Sequence, residues 1–491
     1  MKRILSLCLF LIGTIAHADD RPNIVWIIPD DMSAHFSCYG ETAIETPNVD
    51  RLAARGVKFT DAHVTAPVCS TCRSAFITGM YQTSIGAQNH RSGRGEKKIH
   101  LPDHIKLVPR LFQEAGYHTS ITGWPGRKGR RGKTDYNFEW DQSVYDGADW
   151  AGRKEGQPFF AQIQTPGGKL RGKDAEGWEK MQKSAEETLG SRTSDEKVKL
   201  PPYYPNHPDI VRDWAAYLDS VRMTDHMVGE VIARLEKEGV LENTIVLFMT
   251  DHGISHARGK QFLYQEGTHV PLVIAGPGIK AGTVRDDVVE HIDIAALSLA
   301  AAGIGVPDWM QARDILADDY EPRDTVFSGR DRCDETVDHM RSVKSKEFRY
   351  IRNFLPERPY LQPSAYKDAK SILIALRDWN AAGKLNETQQ LLFRETRPEE
   401  ELYDVKADPF EINNLAGNPE YADVLKKMRS HLDTWMEETN DHGREGESLE
   451  MYDSDMAEYL KKFKIRPELK GKDRPIRKNI ELMKKWAAEG K

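Results

Sequence analysis

The chain has 491 residues, of which 39% are hydrophobic and ten are tryptophans, and its formal net charge is −7. That length exceeds a minimal domain and supplies a sizeable core, so it predicts one large α/β unit with a smaller appendage. The acidic balance is a poor match to nucleic acid, and after the N-terminus no apolar run is long enough to span a bilayer, which argues against a transmembrane anchor.

Met1 to Ala18 carries Lys2 and Arg3, an apolar run from Ile4 to Ile15, and Ala16-His17-Ala18 as an Ala-x-Ala cleavage site. This pattern predicts a secretory signal peptide over 1–18 and an exported protein, periplasmic or extracellular. Cleavage removes two positive charges and no acid, taking the net charge from −7 to −9. Cys38, Cys69, Cys72 and Cys333 then remain, too few for a disulfide scaffold.

Asn23 to Pro29 is a continuous apolar run, as expected of a strand buried on both faces of a parallel sheet, and it ends in Asp30-Asp31. Ligands of open α/β sheets gather at the carboxyl ends of strands. Adjacent carboxylates there repel unless a cation separates them, so the pair predicts a hard-cation site; a turn or helix cap is the alternative. Thr46-Pro47 then opens a helix that stops at Gly56.

Thr65 to Gly79 places Cys69 after an extended Ala-Pro segment, Arg73 four residues on, and Ala75-Phe76-Ile77 before a glycine stop. The pattern predicts a loop entering a short buried helix whose N–H groups face an anion. A Cys-x-x-Cys redox pair with Cys72 and an inert buried thiol are the competing readings.

A helix over 105–115 and a strand over 118–122 follow. Gly123 to Thr134 is basic and glycine-rich, with Arg127, Lys128, Arg130, Arg131 and Lys133, but a phosphate loop ending in Gly132-Lys133-Thr134 needs glycine where Arg127 stands. Gln157 to Thr165 reads as a central strand leading to Pro166-Gly167-Gly168-Lys169. Pro208 to Gly239 is a long amphipathic helix, and Asn243 to Thr250 a second buried strand ending in Asp251-His252-Gly253. His256, Arg258 and Lys260 share the next loop, as candidate anion and substrate contacts. Asp293 reads as a helix cap or structural partner.

Further strands are predicted over 348–354 and 401–405, and a helix over 419–438. From Met456 onward twelve Lys/Arg stand against five Asp/Glu, with Tyr459, Phe463 and Trp486 between them. A solvated terminal helix is the expectation there, and attraction of a polyanionic substrate the alternative.

The order of these segments resembles the type I sulfatases: Asp-Asp, Thr-Pro-Asn-x-Asp-x-Leu-Ala, the Cys69 to Gly79 signature, Gly116-Tyr117-His118-Thr119, Asp251-His252-Gly253, Lys260, Val270-Pro271-Leu272, and the Leu402-Tyr403-Asp404 to Leu415 segment. Two positions depart from the signature, with Thr71 in place of proline and Cys72 in place of serine. The resemblance implies the alkaline-phosphatase-like α/β fold, a large mixed sheet sandwiched by helices with a smaller C-terminal α+β subdomain. The boundaries expected are 19–340 for the catalytic domain, 341–440 for the subdomain and 441–491 for a charged tail.

It further implies that a formylglycine-generating or anaerobic sulfatase-maturing enzyme converts Cys69 to formylglycine, whose hydrate attacks sulfur. One Ca²⁺ per chain is implied at Asp30, Asp31, Cys69, Asp251 and His252. Arg73 and Lys260 are implied to bind the anion, and Lys133 maps onto an active-site lysine displaced by an insertion. Sulfatases place a histidine just after the strand that corresponds to Gln157–Thr165; this chain has Lys169 near there, a candidate substrate contact with Arg258, while His256 is a candidate leaving-group acid. The implied substrate is a sulfated saccharide, O- or N-linked, and the look is that of glycan sulfatases including the heparan N-sulfatase-like branch. Rivals are a phosphonate or phosphodiester hydrolase of the same superfamily and a non-catalytic binder of sulfated polysaccharide.

Overall fold

The computed structural model describes residues 21–123 and 127–491. The segment 1–18 expected to be a signal peptide, Trp124, and the side chains of Arg127, Lys128 and Arg130 lie outside the described residues.

The larger of two sheets contains β1 (Asn23–Pro29), β2 (Gly56–His63), β3 (His118–Gly123), β4 (Arg127–Arg131), β5 (Phe159–Thr165), β6 (Thr244–Met249), β7 (His269–Ala275), β8 (Thr283–Arg285) and β9 (Val289–Glu290). Its order is β4-β3-β5-β1-β6-β7-β2-β8, with β9 also on β2. The centre is parallel, β1 pairing with both β5 and β6, whereas β7 runs antiparallel to β6 and β2. The sheet is therefore mixed, as the resemblance implied.

Every residue of β1, β5 and β6 is buried. Their apolar runs are continuous because helices cover both faces. Ile24, Trp26 and Ile28 of β1 point to one side, where they meet the helices Cys69–Thr78, Val108–Glu114 and Asp293–Ala301. Val25 and Ile27 point to the other, against the 30-residue helix Pro208–Lys237 and the helix Pro47–Ala54. The period of two along the strand thus serves two separate cores.

The second sheet is antiparallel, in the order of its strands β10 (Thr325–Arg330), β11 (Met340–Ser345), β12 (Phe348–Asn353) and β13 (Glu400–Asp404). Because β10 pairs along its whole length with β11, this sheet reaches back before residue 340. The helix Ala422–Glu438 packs against it through Leu425, Met428, Leu432 and Trp435.

The C-terminal stretch departs from a solvated tail. The helices Leu449–Ile465 and Arg474–Ala488 bury Tyr452, Met456 and Met483 together, with Trp486 and Tyr459 packed at the edge. Buried ion pairs from Arg332 to Glu447 and Asp455 fasten the first of them to the body. Charge counting could not show this, because the inner faces are set by contacts 100 and more residues away in the chain. Among the described residues, no helix is long and apolar enough to cross a membrane.

Candidate active site

Three adjacent parallel strands deliver chemistry to one edge. β1 ends in Asp30-Asp31, β6 in Asp251-His252, and β5 in Thr165 followed by Pro166-Gly167-Gly168-Lys169. Backbone bonds past the strand ends lock them together: Asp30 N–H donates to Thr165 O at 3.1 Å, Asp251 N–H to Pro29 O at 3.0 Å, and Met32 N–H to His252 O at 3.0 Å. The glycine pair is needed because a Cβ on Gly167 would lie 2.2 Å from Asp30 O, and one on Gly168 2.2 Å from Asp31 O. Asp31 itself sits in the left-handed region at φ 57, a strained conformation for a residue with a side chain. Arg91, Gln261 and Asp334, which line the same cleft, share positive φ.

Cys69 is the first residue of the buried helix Cys69–Thr78. Val68 before it is extended, and Gly79 ends the helix at φ 67, where a Cβ would strike Met310. The Cys69 thiol therefore sits at the positive end of the helix dipole. Lys260 Nζ lies 3.0 Å from its sulfur and Lys169 Nζ 3.7 Å. Burial would push the thiol up, but Lys133, Lys169 and Lys260 outweigh it and hold it well below the ordinary thiol value. The magnitudes agree: one cation at about 3 Å gives roughly 5 kcal/mol at an effective dielectric of about 20.

Cys72 behaves oppositely. It faces the apolar core beside Phe76, and burial raises its thiol well above the ordinary range. All four described cysteines are free. A redox pair is thus not what this geometry builds.

Lys133, Lys169 and Lys260 all line the cleft with Cys69 and Asp30. Lys133 Nζ lies 3.3 Å from Asp30, Lys169 Nζ also contacts Asp30 and lies 3.6 Å from Asp31, and Lys260 Nζ lies 3.0 Å from Asp31. The displaced lysine of the insertion, Lys133, thus reaches the Cys69 cluster despite its altered spacing. Arg73 does not line the cleft. Its guanidinium is buried and bonds Asp30, Gln164 and, at 3.1 Å, Asp251, so it ties the three strand ends together from below.

The donor set could hold a divalent cation: Asp30, Asp31 and Asp251 offer hard oxygen donors, while His252 nitrogen and Cys69 sulfur are softer. Asp31, Cys69 and His252 each offer a ligand atom within 4.8 Å of the others, with Asp30 and Asp251 alongside. His252 Nδ1 faces the Gly253 carbonyl at 2.9 Å, which can only accept, so Nδ1 carries the proton. Nε2 then faces Cys69 at 3.1 Å and Asp31 at 3.3 Å; although burial works against the charge, the negative charges of Asp251 and Cys69 raise this imidazole above its ordinary value, so Nε2 carries a proton that a bound cation would displace. That is the orientation of a metal-ligating imidazole held by a backbone carbonyl. Burial and the charge of Asp30 push Asp251 up to about 7, the mark of more carboxylates than Arg73 alone satisfies. A divalent ion fits this set.

Two expected substrate contacts are placed elsewhere. His256 Nε2 bonds Asp213, which also holds Arg171 at 3.1 Å and Trp178 at 2.8 Å, and its ring stacks on Trp214. Burial pushes this histidine down to about 3, so it is neutral and walled off from the cleft. Arg258 donates to Glu411 O at 2.6 Å and lies over the Tyr264 ring at 3.6 Å. It clamps the smaller sheet's segment onto the body rather than facing substrate. The loop winds tightly, Lys260 N–H bonding Ile254 O at 2.7 Å, and of His256, Arg258 and Lys260 only Lys260 lines the cleft.

Sequence reading passed over several neighbours. Tyr366 lies under Lys260, with its hydroxyl 3.4 Å from Asp31. His90 Nδ1 is 2.7 Å from Ser70 Oγ, and Ser70 Oγ also accepts the Arg91 N–H. With no other acceptor among the described residues, the Ser70 hydroxyl donates to Nδ1, leaving Nε2–H of His90 facing the cleft. None of these residues carries a periodic or motif signal.

Comparison with known proteins identifies the family. The sulfatase family profile matches residues 22–304, and that of the N-sulphoglucosamine sulphohydrolase C-terminal region matches 252–357. An ulvan-active sulfatase of Formosa agariphila is 33% identical over 87% of this chain and 77% of its own length. The human N-sulphoglucosamine sulphohydrolase is 27% identical over 88% and 94%. A solved structure of a protein in complex with its substrate D-glucosamine-2-N,6-O-disulfate shares the fold, with TM-score 0.58, 19% identity, and coverage of 86% of this chain and 98% of its own. The profile spans more than half of the chain and takes in Asp30, Cys69, Lys133, Lys169, Asp251 and Lys260: the chain belongs to the sulfatase family.

Proposed function

We propose that this sulfatase removes sulfate, O- or N-linked, from a sulfated glycan at Cys69, after conversion of Cys69 to formylglycine and with one Ca²⁺ held by Asp30, Asp31, Cys69, Asp251 and His252. The observation that carries the reading is the charge balance around Cys69. Arg73, Lys133, Lys169 and Lys260 face the carboxylates of Asp30, Asp31 and Asp251, four cations against three anions, while Asp135, 3.4 Å from Lys133, has its own partner in Arg94. The surplus positive charge stabilises a Cys69 thiolate. Once Cys69 is uncharged, the same surplus is left for an anion such as sulfate.

The formylglycine hydrate supplies the oxygen nucleophile, and the metal ion supplies further positive charge beside it. Lys260 and Lys169, nearest the Cys69 side chain, are placed to hold sulfate oxygens and to favour the charge that grows as the S–O or S–N bond breaks. Arg73 acts as a positioning residue, fixing Asp30 and Asp251 for the metal. The cleft, about 1030 Å³, has room for a saccharide rather than a bare anion. Glycan-related names among the relatives and the signal-like segment 1–18 support an exported enzyme of sulfated polysaccharide.

The test sets sulfated oligosaccharides, O- and N-sulfated, beside an aryl phosphate diester. Release of sulfate is expected, and faster turnover of the diester would sink the reading. Replacing His256 by Asn separates structure from chemistry in the same assay. A lower melting temperature is expected, since the buried Asp213 loses a partner, a change worth about 1–3 kcal/mol. The pH profile of turnover should keep its shape; loss of its acid-dependent limb would restore His256 as a proton donor.

A further inference from the structure

The cleft has a second wall that the sulfate chemistry does not use. Besides Cys69 and the lysines around it, the cleft is lined by Arg91 and Asp334, by Tyr459, Lys462 and Phe463 of the C-terminal helix Leu449–Ile465, and by Lys472 in the turn before the helix Arg474–Ala488. These helices lie beyond the residues 22–304 and 252–357 that the family profiles match.

The wall is built rather than draped. Asp455 accepts from the backbone N–H of Arg94 at 3.2 Å and from Arg332 at 2.7 Å, and Ser454 accepts from Lys97 N–H at 2.8 Å. A Cβ on Gly95 would lie 2.2 Å from Ser454 O, so the loop bearing Arg91 can press on the helix only because residue 95 is glycine. Tyr459 and Lys462 stand four and seven residues after Asp455, on the same helix face, and so project over that loop into the cleft.

Lys462 Nζ lies 3.9 Å above the Tyr459 ring and 5.0 Å from that of Phe463. Of the acids of this wall, Asp334 engages Arg91 through one guanidinium nitrogen, Nη1, at 3.2 Å, and Asp368 pairs with Arg377 at 2.7 Å. No ion pair joins Lys462 or Lys472 to a carboxylate among the described residues. Burial and the nearby Arg91 charge both hold the Lys462 ammonium below its ordinary value. A lysine over aromatic faces with an arginine charge near it, in a saccharide-sized cleft that Lys472 also lines, suits an anion.

Resting on the function proposed above, we infer that Arg91, Lys462 and Lys472 form a second anion subsite, which binds another acidic group of the saccharide while Tyr459 and Phe463 lie against its ring. A carboxylate and a second sulfate ester share the chemistry required. The preferred substrate is then a multiply acidic glycan, not a singly sulfated one.

The experiment compares the full-length matured enzyme with Lys462→Gln and Lys462→Arg. Substrates are an aryl sulfate, a sulfated disaccharide with a neutral second sugar, one with a uronate, and one with a second sulfate. The ratio of kcat/KM for an acidic disaccharide over the neutral one should fall roughly tenfold in Lys462→Gln, as for loss of one charge-assisted hydrogen bond, mostly through KM, and Lys462→Arg should retain it. Whichever acidic disaccharide loses more identifies the group bound. An unchanged ratio in Lys462→Gln, or an equal loss on all four substrates, would overturn the subsite. Should the wild-type chain release no sulfate, the preceding reading fails. The subsite is then judged by equilibrium binding of the same disaccharides to chains carrying Cys69→Ala, with the same shift in ratio expected on adding Lys462→Gln.

Discussion

Cys69→Ala is expected to lose sulfate release by roughly four orders of magnitude or more, the scale on which removal of a nucleophile acts. The substitution removes the atom that carries the nucleophile in the proposed reading and leaves the surrounding cations in place. Lys260, 3.0 Å away, still pairs with Asp31, and Lys169 still contacts Asp30. Binding of a sulfated saccharide should therefore survive, because the cations that would hold its anion are untouched. Kinetics and calorimetry on one sample check both halves. Residual turnover within tenfold of wild type would move the chemistry away from Cys69.

Removal of the metal comes next in size. Chelation of the wild-type enzyme should abolish turnover and lower the melting temperature, and added Ca²⁺ should restore both. A ligand present at about 100 times its dissociation constant adds roughly 2.7 kcal/mol of stability, which sets the scale of the thermal shift. Asp31→Asn should reproduce the loss permanently, by at least roughly two orders of magnitude in kcat/KM, since even outer groups of metal sites commonly cost 10- to 100-fold. The reason is local. Asp31 lies within 3.0 Å of Lys260, 3.6 Å of Lys169 and 3.3 Å of His252, so its charge balances two lysines as well as the metal. Elemental analysis separates the effects, with metal content expected to fall in Asp31→Asn and to stay in Lys260→Met. Unchanged activity and unchanged melting after chelation would contradict the metal assignment.

The parts of the site carried by the sheet were readable in advance. Asn23–Pro29 and Thr244–Met249 are continuous apolar runs, each ended by acids, and parallel central strands must bring such ends to one edge. Cys69 at a helix start and Gly79 at its end were equally local signals, each fixed by residues within a few positions. Side-chain direction was not. His256, Arg258 and Lys260 alternate along one loop, and only packing against Trp214 and Tyr264 decides that the first two turn inward to Asp213 and Glu411. Arg73 was legible as a partner of the site but not as the buried tie between Asp30 and Asp251, which needs β1 and β6 side by side. The C-terminal wall was least legible of all. Its charges resemble a solvated helix until Arg332, more than a hundred residues earlier, pairs with Glu447 and Asp455.

Thr71 and Cys72 mark where the chain departs from the sulfatase signature. Both are buried in the helix that begins at Cys69, and the Thr71 hydroxyl has no hydrogen-bond partner. In the proposed reading they would bear on recognition of the unfolded segment by a maturing enzyme; neither lines the folded cleft. The central claim is that Cys69 in the active protein is an aldehyde. Mass spectrometry of the Cys69-containing peptide, from protein made in its native host, tests it most directly. The predicted result is the formylglycine mass, captured by an aldehyde-reactive hydrazide, in the fraction that turns over sulfate. A cysteine thiol alkylated in every copy of an active preparation would contradict it.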